Sequence, residues 1–131
     1  MATTGSGKID YASKRETYEA ALLSLFSSNP EDTAADLSKL ILPTFSQRDD
    51  TTTRDFDGFV THIRHLRGML PTGSVTIAVT QFLRDGTQIA ERHTSSAKLP
   101  DGSVQKSETF LFGEVAEDGR LAWIVESVQR G

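Results

Sequence analysis

Apolar positions recur at helical spacing along the first half of this chain and alternate with polar ones along the second. From residue 74 onward, four stretches of about 74–84, 87–99, 103–116 and 120–129 read as β-strands. They are separated by Asp85-Gly86, Asp101-Gly102 and Asp118-Gly119. Asp-Gly between alternating stretches signals a hairpin, because a tight primed turn needs positive φ and these residues tolerate it. Three such turns predict a four-stranded antiparallel meander. Strands of this length must twist and curl.

Upstream, Tyr18, Leu22, Leu25 and Phe26 form one helical stripe, and Ala34, Leu37, Leu40 and Ile41 a second, ended by Pro43. Phe56, Phe59, Val60, Ile63 and Leu70 mark a third helix, started by Thr53 or Asp55 and ended by Gly68 and Pro71-Thr72-Gly73. Gly58 inside it costs up to ~1 kcal/mol relative to Ala, which points to a close backbone approach. Residues 44–54 read as a polar loop. Residues 1–12 read as a flexible N-terminal arm before a single domain over 13–131. The order predicts an α+β fold, with helices covering one face of a strongly curved antiparallel sheet.

Strand register brings candidate chemistry into view. With each Asp-Gly at the centre of its turn, Val79 opposes Arg92, Arg92 opposes Leu111, and Leu111 opposes Glu126. Ile77, Thr94, Thr109 and Val128 share that face, as does Ile124. Arg92 and Glu126 then flank Leu111 at roughly 9.6 Å between backbones, two strand spacings apart. Helices over this face would desolvate both charges, which demands pairing or neutralisation. One reading is a structural Arg92–Glu126 ion pair. The other is a polar pair in an apolar cup, where Glu126 moves a proton and Arg92 holds an oxygen. A bulge at any turn would invert the faces and bring in Glu91 and His93 instead. The opposite face mixes Phe110, Phe112, Trp123 and Val125 with acids, which suits a subunit interface.

Phe59, Thr94, Thr109, Leu111 and Ile124 are the expected substrate-lining residues. His62 and His65 lie three apart on the third helix, without an evident third ligand, so no metal is expected. His65 is either a proton carrier facing the cup or a solvated side chain. Tyr18 is either a core residue or a donor to a substrate oxygen. Arg48, in the predicted loop, is either solvated or closes the cup over a carbonyl-bearing ligand.

Composition narrows the classes. The chain of 131 residues has a net charge of −4 and scattered basic residues, which argues against a nucleic-acid groove. It has no cysteine, which removes disulfides, thiolate metal sites and Cys nucleophiles. No apolar run approaches the ~18 residues of a membrane span, and the N-terminus lacks the apolar core of a signal peptide. A cytoplasmic protein without membrane association is expected. No phosphate-cradling Gly loop or Gly-x-Ser-x-Gly elbow is present.

Asp55-Phe56-Asp57-Gly58-Phe59-Val60, Ala90-Glu91-Arg92-His93-Thr94, Phe110-Leu111-Phe112-Gly113-Glu114-Val115 and Asp118-Gly119-Arg120-Leu121 follow a familiar order. Over residues 14–129 the chain resembles the SnoaL-like, or nuclear-transport-factor-two-like, superfamily, most of all its small fungal natural-product isomerases and cyclases. That resemblance implies a cone-shaped α+β barrel and a homodimer through the outer sheet face. It also implies cofactor-independent acid/base chemistry on a hydrophobic polyketide or terpenoid intermediate. Dehydratases, epoxide hydrolases and non-catalytic ligand-binding or dimerisation domains are the alternatives. In limonene epoxide hydrolase an arginine bridges two aspartates. Arg92 matches the arginine and Glu126 resembles one acid, but Thr94 stands where the other is expected. Arg48 falls where ketosteroid isomerase carries its basic aspartate. What the resemblance leaves is one acid, Glu126, as general acid or base, with Arg92 beside it.

Overall fold

Asp55 caps the longest helix: its side chain accepts a hydrogen bond from the Gly58 amide at 2.8 Å. A Cβ on Gly58 would sit 3.3 Å from that same Asp55 oxygen and 3.4 Å from Arg54 Cβ, so the close approach at this glycine is to its own cap. A computed structural model describes residues 10–131. Residues 1–9 of the expected arm lie outside the described residues. The described residues form α1 (Arg15–Ser24), α2 (Thr33–Ser38), β1 (Ile41–Asp49), β2 (Thr52–Asp55), α3 (Phe56–Met69), β3 (Val75–Asp85), β4 (Gln88–Lys98), β5 (Val104–Val115) and β6 (Leu121–Arg130). Short 3-10 turns at Tyr11–Ser13 and Pro30–Asp32 precede the first two helices. No helix among the described residues is long and apolar enough to cross a membrane.

The six strands form one sheet in the order β2-β1-β6-β5-β4-β3. β1 runs parallel to β6, and the other neighbours are antiparallel. Two expectations are corrected here. The sheet is mixed rather than an antiparallel meander alone, and it is open, with β2 and β3 as edges, so it does not curl shut into a cone-shaped barrel. The polar stretch 44–54 is no loop: it supplies most of the β1–β2 hairpin, which turns at Asp50 with φ 54°. The second helical stripe ends early, at Ser38, and Ile41 begins a strand. Pro43, without an N–H to donate, sits where the β1–β6 register shifts.

α1 and α3 pack on one sheet face around a core that includes Tyr18, Phe45, Phe59, Ile63, Ile89 and Ile124. The Phe45 and Phe59 rings meet at 5.2 Å between centroids. Gly113 lies between Ile89 and Ile124, and a Cβ there would stand 3.2 Å from both side chains. Its bare backbone lets those neighbours close over the sheet. Buried Arg67 of α3 holds the helical layer together. Its guanidinium donates to the carbonyls of Ser24 (3.1 Å), Leu25 (2.7 Å) and Asn29 (3.0 Å) and pairs with Asp36 at 3.0 Å. These contacts tie the end of α1 and the turn before α2 to α3.

Register was the weakest part of the sequence reading, and the turns explain why. At the second hairpin the loop is the three residues Pro100-Asp101-Gly102, closed by the Leu99 amide on the Ser103 carbonyl at 2.8 Å. An odd loop shifts pairing by one residue, so Arg92 opposes Phe110 and Glu91 opposes Leu111. On the other side of β4, a bulge at Thr80 separates the pairs Val79–His93 and Gln81–Arg92. The third hairpin also has a three-residue loop, but an extra residue, Ala122, restores the expected Leu111–Glu126 pairing. β4 is therefore inverted relative to the sequence reading, while β5 and β6 keep their expected faces.

Candidate active site

Glu91 fills the place expected of Arg92. It flanks Leu111 on one side while Glu126 flanks it on the other. Asp49 of β1 pairs with Glu126 and extends the row. The next row carries Val79, His93, Thr109 and Val128. Both rows face the helices.

Between these rows, α1 and α3 lies a cavity of about 230 Å3. Its polar lining includes Gln47, Asp49, His62, His93, Thr109 and Glu126. Leu22, Phe26, Phe59, Leu66, Ile77 and Leu111 are among its apolar walls. A broader groove of about 670 Å3, around Thr76, Ser96 and Lys106, is open to solvent and does not reach Glu126.

Two hydrogen-bonded networks prepare the cavity. In the first, buried Glu91 accepts from the Tyr18 hydroxyl at 2.6 Å and holds His93 Nδ1 at 2.8 Å. Burial, and then the Glu91 carboxylate, push the Tyr18 hydroxyl well above its ordinary pKa, so it stays a donor. With Nδ1 engaged by Glu91, Nε2 is the ring nitrogen left to meet a ligand.

In the second network, Gln47 Nε2 donates to Glu126 at 2.7 Å, and Arg54 donates to Gln47 Oε1 at 2.9 Å. Because a guanidinium only donates, Arg54 orients the Gln47 amide with its NH2 group toward Glu126. Burial raises the Glu126 pKa, and the Gln47 hydrogen bond opposes that rise. Asp49 and Glu91 add to the rise, while His93 lowers it. His62 is pushed down, by burial first and then by Arg54.

Glu126, Phe59, Thr109, Leu111 and Ile124 all line the cavity. Tyr18 lies behind the wall on Glu91 and tilts against Phe82 at 5.1 Å between ring centroids. Arg92 and Thr94 require correction, because the inversion of β4 turns both to the opposite face. Arg92 is exposed there, pairs with Glu108 at 2.6 Å and stacks over Phe110 at 5.5 Å. An Arg92–Glu126 contact, structural or catalytic, is therefore ruled out by sheet geometry. His65 is exposed on α3 while His62 lines the cavity, so the two histidines do not share a site. Arg48 is exposed on β1 and donates to the Asp50 carbonyl of its own turn at 3.2 Å, away from the cavity.

Glu91 and His93 appear in the sequence reading only as the outcome of an inverted register. Gln47 and Asp49 went unseen because polar residues on an inward face disguise a strand as a loop. Their two-residue spacing beside Phe45 was the available signal.

No family model matches the chain, and no curated protein matches it. Solved structures do. Wild-type IdmH, a candidate polyketide cyclase from Streptomyces antibioticus, superposes with TM-score 0.63 at 16% identity, covering 84% of this chain and 90% of its own. A candidate isomerase of the SnoaL-like family from Agrobacterium tumefaciens gives TM-score 0.63 at 14% identity, covering 88% and 97%. An epoxide hydrolase from M. tuberculosis, similar to limonene epoxide hydrolase, gives TM-score 0.63 at 11% identity, covering 85% and 81%. At such identities the likeness establishes the fold. The chain has the SnoaL-like, nuclear-transport-factor-two-like superfamily fold. The structures that share it include ones named for polyketide cyclase, isomerase and epoxide hydrolase activities.

Proposed function

We propose that the protein is a cofactor-independent enzyme of the isomerase or cyclase type, acting by proton transfer on a small hydrophobic molecule. The observation that carries this reading is Glu126 on the wall of an apolar cavity, held by Gln47 at 2.7 Å. A desolvated carboxylate with a raised pKa is suited to take and return a proton near neutrality. In this scheme Glu126 removes a proton from an activated C–H of the substrate and returns it at another position. His93, oriented by Glu91, meets the substrate oxygen through Nε2. This role replaces the one expected of Arg92. The bridging-arginine pattern of epoxide hydrolases finds no support, since Arg92 points away.

Glu126→Gln removes the proton carrier and keeps the shape. Turnover of an isomerisable or cyclisable natural-product intermediate should fall by about 10²–10⁴-fold. Undiminished turnover in the folded variant would remove the proton-carrying role from Glu126, and no turnover by the wild type would leave a non-catalytic ligand-binding domain as the better reading.

The outer sheet face supports a second proposal, a homodimer through that face. Phe112 is 65% exposed and Phe110 41%, beside a groove of about 450 Å3 that also includes exposed Leu83. Exposed aromatics in one patch favour a protein partner over water. Sedimentation at micromolar concentration should show a dimer that Phe112→Asp dissociates. A monomeric wild type would end this proposal.

A further inference from the structure

The cavity is polarised along the sheet. At its β1 end, Gln47 and Asp49 stand beside Glu126, while at its β3 end the wall is Val75 and Ile77. Leu66 and Leu70 of α3 complete the apolar side. A ligand that fills it needs one polar group and an apolar body.

Its charge is also one-sided. Asp49 and Glu126 are register neighbours, and Glu91 lies across Leu111 from them. The nearby cations are committed or weakened. Arg54 is engaged by Gln47 and lies 4.0 Å from Asp49. Arg130 also lines the cavity, but at its exposed rim, two inward positions beyond Glu126 on β6. His62 is biased toward its neutral form, and His93 Nδ1 is tied to Glu91. A carboxylate placed beside Glu126 would lose its hydration and meet like charges, while the one arginine in the lining, Arg130, stands at the solvent-exposed rim.

Size sets a further limit. About 230 Å3 holds about eight waters at liquid density, or a ligand of about ten non-hydrogen atoms at interior packing. One ring with short substituents fits within that limit, whereas three fused rings would have to extend past Ile77, Ser95, Ser107 and Arg130 into the adjoining open groove.

We propose that this cavity selects single-ring-sized substrates that are uncharged or cationic, and rejects carboxylates and polycyclic molecules. The proposal rests on the reading of this cavity as the substrate site and specifies the substrate class. Inert probes test it without turnover. Cyclohexanol, cyclohexylammonium, cyclohexanecarboxylate and 9-anthracenemethanol would be titrated against the full chain by protein-observed NMR. Displacement of Phe59 and Ile124 resonances would report the site.

The alcohol and the ammonium should bind at least about tenfold more tightly than the carboxylate and the tricycle, a difference well within reach of one unfavourable charge or a steric clash. Asp49→Asn should narrow the gap between ammonium and carboxylate, with the thermal melt confirming the fold. Equal binding of the carboxylate or the tricycle overturns the proposal, as does the failure of every single-ring probe at millimolar concentration. These probes report only shape and charge, so such a result leaves the proton-transfer role to be judged separately by the Glu126→Gln assay.

Discussion

Along β4, Glu91 and His93 face the helices while Arg92 and Thr94 face the other way. Both sides carry an acid beside a base, at 2.8 Å for Glu91–His93 and 2.6 Å for Arg92–Glu108. Their surroundings differ sharply. The Glu91 side chain is 0% exposed, and that of Arg92 is 44% exposed. On the inner side, Glu91 has no water to fall back on, so its partners Tyr18 and His93 are obligatory. On the outer side, Arg92 and Glu108 exchange freely with solvent, and their attraction is screened. An acid paired with a base therefore forms a fixed network beside the cavity on one face and a replaceable surface pair on the other. Burial, rather than the presence of an ion pair, distinguishes the cavity side, which is the side proposed to act on substrate.

Substitutions along β4 probe that contrast directly. Glu91→Ala strands the Tyr18 hydroxyl and His93 Nδ1 in the core. It should cost about 3 kcal/mol in urea-melt stability, as breaking a buried pair does. A loss below about 1 kcal/mol would erase the distinction between the faces. Tyr18→Phe removes one charge-assisted hydrogen bond and should cost about 1.5–3 kcal/mol. Its defect should shrink in a Glu91→Gln background, where the acceptor is neutral. Arg92→Ala and Glu108→Ala in a double-mutant cycle should couple by less than about 1 kcal/mol, and by less still in high salt. A coupling as large as that of the inner network would make the outer pair more than a surface contact.

Glu126 adds a pH signature to the inner face. Its folded pKa is raised above the ordinary value near 4.5, chiefly by burial. Its stabilising contribution is therefore complete below that ordinary value and is lost as pH rises through the folded one. Glu126→Gln cannot ionise, so its stability advantage over the wild type should grow across that window. Activity runs the opposite way: a base at Glu126 gains turnover as pH climbs through the same window.

Much of the architecture was legible in the chain. The third helix, its Asp55 start, and strands 75–85, 88–98, 104–115 and 121–130 lie within a residue or two of the expected limits. The site was half legible. Glu126, Leu111 and Thr109 share a face as expected, because Ala122 restores the register that a three-residue loop had shifted. No comparable correction acts between β4 and β5, so Arg92 and Glu91 exchange roles.

Local sequence determined the limits of the third helix and of the four later strands, because capping, periodicity and positive-φ turns act over a few residues. It also determined that each strand would have an apolar and a polar side. Which side of β4 faces the helices was decided only in three dimensions, by a bulge at Thr80 and an odd-numbered loop at Pro100-Asp101-Gly102. The parallel pairing of β1 with β6, which carries Gln47 and Asp49 to Glu126, was likewise a tertiary outcome. A strand's side chains alternate with a period of two, so one extra residue reverses every face beyond it, and a single sequence window cannot count that residue in advance.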